Sequence, residues 1–195
     1  MGAIFQSLGR TVLAGFVILV VLILVAGSGA RDAGDQVWWS LIFRWLHVMS
    51  GVMWIGLLWY LNFVQIPSMA KIPDEQKPAI SKVIAPAVLF WFRWAALATV
   101  VTGLLVAGMG KYLASALIFG PGLVAIGIGM WLALIMAFNV WFIIWPNQKK
   151  ALGIVVVEAP AKAAAARLAM LTSRFNTMLS IPMLFCMVAQ KYNIL

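Results

Sequence analysis

The sequence is poor in the groups that most often carry chemistry. It has one cysteine, Cys186, one histidine, His47, and five acidic residues in a chain of 195. A lone cysteine inside an apolar run forms no internal disulfide, and one cysteine with one histidine cannot supply a four-ligand zinc site. No C-x-x-C-H run occurs, which excludes covalent attachment of a c-type haem. Any step that needs an imidazole must use His47.

Long polar stretches are also missing. The chain is 65% hydrophobic and 10% charged, with a mean hydropathy of +1.04. Apolar runs of about 20 residues recur along it, the mark of a polytopic membrane protein. The expected fold is all-α: a transmembrane bundle of about five helices, 1–195 forming a single integral membrane domain. The net charge of +9 does not point to nucleic acid, because the basic residues sit between apolar runs. There they serve as topology signals and as contacts to anionic lipid headgroups.

The first run covers residues 12 to about 30, after Arg10. Its end, Ser28-Gly29-Ala30, resembles the small-residue cleavage site of a signal peptide; the expectation is that the run stays as a first transmembrane helix. The second helix is expected over 37–65, with Trp38 and Trp39 at one interface and Trp59 and Tyr60 near the other. A loop of Pro, Lys and acidic residues follows over 66–85. The third helix is expected over 87–108, opening on Phe90, Trp91, Phe92, Arg93 and Trp94. Residues 111–120 are too short to span and suit the interface. The fourth helix is expected over 123–145, ended by Pro146 and the Lys149-Lys150 pair, with Gly127 and Gly129 allowing close packing. Residues 158–172 read as an interfacial or soluble helix leading into a short last span over 174–189, where Pro182 favours a kink or tilt.

Within the second helix the polar residues are ordered. At 100° per residue, Arg44, His47, Gly51, Leu58, Asn62 and Gln65 fall within about 60° of one another. A polar stripe in a bilayer turns toward other helices, since hydrocarbon offers it no partner. Two readings of His47 stand at this level. It is either a buried imidazole bonded to a neighbouring helix, or the ligand of a b-type haem iron. In the second reading Arg44 pairs with a propionate, Gly51 opens space for the macrocycle, and one of Met49, Met53, Met130 or Met183 supplies a sixth ligand or none does.

Basic residues assign the orientation. Arg10, Lys71, Lys77, Lys82, Lys149, Lys150, Lys162, Arg167 and Arg174 fall on one side of a five-span topology, nine against the three on the other, Arg31, Lys111 and Lys191. The positive-inside rule then puts the N-terminus in the cytoplasm and the C-terminus in the periplasm of a bacterial inner membrane. Asn62, Arg93, Asn139 and Asn176 approach the cytoplasmic side from four helices, with Gln65, Asn147, Gln148, Arg174 and Thr177 near them. These amides either tie helices together or form a polar site. For a planar anion such a site would offer the amides, Arg93 or Arg174 as cation, and Trp91, Trp94 or Trp141 as a stacking wall. Arg93 by itself also reads as an interfacial residue snorkelling to headgroups.

The runs RWLHVMSGVMWIG, FWFRWAALATVVTG, NVWFIIWPNQKK and SRFNTMLSIPMLFCMVA, in this order, resemble the membrane domain of bacterial membrane-bound urate oxidase, a urate hydroxylase of the PuuD type. The resemblance touches every expected span except the first. It implies an inner-membrane oxidoreductase of purine breakdown that oxidises urate or a related purine and passes electrons to a cytochrome. The chain looks like a short form lacking the family's C-terminal cytochrome c domain, so the acceptor would be a separate periplasmic cytochrome c or a quinone. Phe175 stands where the long form's S-R-x-N-T motif has histidine, and Gln190-Lys191-Tyr192 stands where the long form has a histidine before the tyrosine. The alternative is a non-catalytic subunit that holds haem or a partner helix in a larger complex or homo-oligomer. A permease ranks last, because five helices without an internal repeat do not match the usual transporter designs.

Overall fold

The computed structural model describes residues 2–26 and 35–192. The described residues are helical with loops and no strand, so the all-α reading holds. They fall into two compact units, 1–38 and 39–195.

The first unit contains a helical turn, Gly2–Phe5, and helix α1, Leu8–Ala26. Thr11 caps the approach to α1 by donating to the carbonyls of Ile4 and Ser7, 3.1 Å each. The helix starts four residues earlier than its sequence pattern suggests, and its expected end, with Ser28-Gly29-Ala30, lies outside the described residues.

The larger unit is built on four long helices. Helix α2, Gln36–Trp59, continues through a π-helical turn, Tyr60–Gln65, into Ile66–Met69. Helix α3, Ala85–Met109, is entered through Lys77–Ala79 and a second π turn, Ile80–Ile84. A short helix α4, Leu113–Leu117, follows. Helix α5, Val124–Phe138, passes through a third π turn, Asn139–Ile144, into Trp145–Ala151. Helix α6, Ala159–Ala189, runs unbroken for 31 residues through Pro182. Three expectations are therefore corrected. The loop after α2 is only 70–76, because helix resumes at Lys77, and Pro146 does not end the fourth helix. The two pieces read from 158–172 and 174–189 are one helix.

One residue separates each π turn from the proline after it: Pro67, Pro86 and Pro146. In each, the residue before the proline donates five residues back, Ile66 to Leu61, Ala85 to Ile80 and Trp145 to Val140. A proline lacks an N–H and its ring crowds the carbonyl four residues earlier. Widening the preceding turn by one residue moves that carbonyl aside and lets the helix go on. This is why proline reads as a stop in the sequence and is not one in the fold.

The core of this unit is Trp54, Leu58, Leu89, Phe92, Met136, Val140, Ile144 and Met183, contributed by α2, α3, α5 and α6. Gly127 faces the Ala116 carbonyl and Gly129 faces Cys186, so α4 and α6 both lie close on α5. The outward faces carry exposed Val52, Phe63, Val101, Phe138 and Phe142. In water such a surface would aggregate, whereas lipid tails are a suitable solvent for it. Among the described residues, four helical stretches are long and apolar enough to cross a membrane: Leu8–Val25, Gln36–Met69, Lys77–Met109 and Val124–Ala151. Helix α6 has the length but carries Lys162, Arg167 and Arg174 in its first half.

Candidate functional site

His47 is placed by α3. Its Nδ1 lies 2.8 Å from the carbonyl oxygen of Thr99, to which it donates. That carbonyl is within reach because of Gly103, one turn on. A side chain on a helix leans back over the preceding turn, so a Cβ at 103 would lie 2.8 Å from His47 Cε1 and 3.1 Å from Nδ1. With hydrogen there instead, the imidazole lies against the α3 backbone. The Nδ1–H bond fixes the tautomer that leaves the Nε2 lone pair free, the state in which histidine binds a metal.

His47 lines a cavity of about 630 Å³ shared by α2, α3, α5 and α6. Its wall is mostly apolar. Arg44, one turn before His47, and Tyr112, at the end of α3, also line it, as do Gly51, Met130, Met183 and Met187. Burial pushes the Tyr112 hydroxyl above its ordinary value, so it is a protonated donor at neutral pH. Met49 and Met53 do not belong here; both are about half exposed and absent from the wall, which removes them as sixth ligands. Gly51 does line the cavity, but the glycine against the ring is Gly103. Nothing in the sequence of α2 could reveal that, since the contact joins residues 52 positions or more apart. Among the described residues no group of three or more His, Cys, Asp or Glu side chains is placed to hold a metal ion. A metal here would need a ligand set of its own, as a macrocycle brings.

The second predicted cluster is brought together in pairs. Asn139 Nδ2 donates to Asn176 Oδ1 at 2.8 Å, and Asn176 Nδ2 donates to the Met136 carbonyl at 2.9 Å. Asn62 Nδ2 donates to the Leu58 carbonyl at 2.9 Å and to Ser173 Oγ at 2.8 Å. These bonds tie α2 and α5 to α6. Trp59 Nε1 adds a tie by donating to Ser180 Oγ at 2.9 Å. Arg93 is 9% exposed, and its guanidinium carbon lies 3.4 Å from the centre of the Trp145 ring. Arg93 thus lies against the bundle, and its stacking partner is Trp145. Trp91 and Trp94 are exposed; Trp94 meets Trp141 edge to face, and Arg174 is exposed as well.

A bundle of membrane-length helices around a histidine-bearing apolar cavity defines the class. Residues 110–195 match the family described as urate oxidase N-terminal. The match covers less than half of the chain and takes in α4, α5 and α6, with Asn139 and Asn176, but not His47, Asn62 or Arg93. It supports a relation to urate oxidases. No curated protein and no solved structure matches the chain.

Proposed function

We propose that the protein is a membrane redox protein of the urate oxidase kind, with a b-type haem at His47 and a purine such as urate as its electron donor. One observation carries this reading. The only imidazole is held by Thr99 and Gly103 in its metal-binding tautomer, at the wall of an apolar cavity large enough for a flat macrocycle. Residues and group fit: His47 Nε2 would ligate the iron, the apolar wall would take the ring, and Arg44 would pair with a propionate. A bound haem supplies one-electron transfer between donor and acceptor. The chain's own residues hold it, exclude water from it and set its level in the membrane. With the N-terminus in the cytoplasm, His47 lies in the outer half, toward a periplasmic cytochrome c or a quinone. The cluster of Asn62, Arg93, Asn139 and Asn176 lies on the inner side, where the purine enters.

The test is anaerobic addition of urate to membranes that contain the protein and an oxidised cytochrome c. Urate-dependent reduction, lost in His47→Ala at equal protein level, is the expected result. A second reading, a non-catalytic subunit, is favoured by the Asn139–Asn176 and Asn62–Ser173 bonds, which engage amides that a substrate would need. Membranes that never consume urate would favour it.

A further inference from the structure

Among the described residues Arg93 has no counter-ion; the ion pair there joins Lys77, at the start of a helical turn, to Asp74 of the preceding loop. Arg93 is 9% exposed, inside a membrane-length helix, and its Nη1 is buried without a hydrogen-bond partner. Trp145 shields one face of the guanidinium but accepts none of its hydrogen bonds. A buried, unpaired charge is strongly disfavoured unless something completes it.

Three buried amide oxygens are also unfilled. Gln148 Oε1, one turn beyond Trp145, is buried and unpartnered, and so are Asn62 Oδ1 and Gln65 Oε1 on the π turn of α2. Gln148 follows Trp145, the ring stacked on Arg93, by one turn, and Leu58 and Leu61, the neighbours of Asn62 on α2, share one core cluster with Phe92 and Ile144. Turning the Asn62 amide over cannot remove its orphan, because Nδ2 must face the Leu58 carbonyl. Its oxygen is a committed acceptor.

We infer that Arg93, Asn62, Gln65 and Gln148 form the contact points of a site for a small planar anion that carries N–H donors beside its anionic oxygen. The anion completes Arg93, and the N–H groups complete the amide oxygens. Inorganic sulfate or chloride would satisfy the first and leave the second unmet. Asn139 and Asn176 are helix ties here and not ligand contacts. The inference refines the proposed purine site and rests on that reading only for the natural ligand; the site itself stands on the unpartnered groups.

The experiment is anaerobic titration of the purified protein with urate and, separately, with the barbiturate anion, followed by thermal stability and tryptophan fluorescence. Sodium sulfate is the control. Both planar anions should bind. Arg93→Gln should weaken them by about tenfold to a hundredfold, the size of a charge-assisted hydrogen bond, and Gln148→Leu by about tenfold. Sulfate should bind at least tenfold more weakly than either. Should Arg93→Gln not fold, Gln148→Leu and Gln65→Leu carry the same question. No binding by either planar anion, or binding unchanged in these variants, overturns the site, as does equal binding of sulfate. Binding without urate oxidation leaves the site standing and defeats the redox proposal.

Discussion

His47, Gly103 and Arg93 each show how one residue's role depends on what faces it. A glycine in mid-helix costs about 1 kcal/mol against alanine, so Gly103 needs a reason, and the imidazole at 2.8 Å from its missing Cβ is that reason. Gly51 differs. An alanine Cβ there would meet only Thr99 Cγ2 at 3.9 Å, an ordinary contact. Gly51→Ala should therefore raise the melting temperature, the helix gaining up to about 1 kcal/mol. Gly103→Ala should lower it, because overpacking of about 1–3 kcal/mol exceeds the propensity gain. Thermal melts of the two variants check this, and equal shifts would contradict the placement of His47. The sequence made His47 legible, as its only imidazole on a polar stripe. Gly103 was not legible, because a glycine's neighbour on another helix leaves no mark on its own helix. Trp145 was missed as the partner of Arg93 for a related reason. It lies just past a π turn, and each extra residue rotates the rest of the helix by about 100°.

At the level of elements, prolines and amides decide how the helices run and hold. Spans and their apolar faces could be read from hydrophobic runs, since lipid demands them. Continuation through Pro67 and Pro146 could not, because a π turn has no sequence pattern as plain as the proline after it. The amide ties were half legible: Asn62, Asn139 and Asn176 were found as deep polar groups, but pairing requires knowledge of which helices touch. Asn176 is fully buried and bonds both Asn139 and Met136 of α5. Each interhelical link in a membrane is worth about 1 kcal/mol. Asn176→Leu should therefore cost about 2 kcal/mol in a denaturation titration and leave urate affinity within about twofold. Loss of affinity with unchanged stability would show that Asn176 contacts the ligand instead.

For the whole molecule the open quantity is the number of crossings. Five spans were expected, and among the described residues four stretches meet the length and hydropathy requirement. At 1.5 Å per residue, α6, Ala159–Ala189, is about 46 Å long; a crossing of about 20 residues ending at Ala189 leaves Lys162 and Arg167 at the cytoplasmic surface and puts Arg174 just inside it, within snorkelling reach of the headgroups. The sequence obscured this by interrupting the apolar pattern with Arg174. If α6 crosses, the nine-to-three split of basic residues puts the two termini on opposite sides. Reporter fusions at the C-terminus should be active only in the periplasm; activity in the cytoplasm would mean an even number of crossings or the reverse orientation. The larger claim is that the bundle is built around a haem held by His47. Its most direct test is the absorption spectrum of the purified protein, with and without dithionite, beside that of His47→Ala. The account predicts a Soret band that shifts on reduction in the wild type and is absent from a folded His47→Ala protein. A colourless wild type that gains no band on titration with haemin would contradict it.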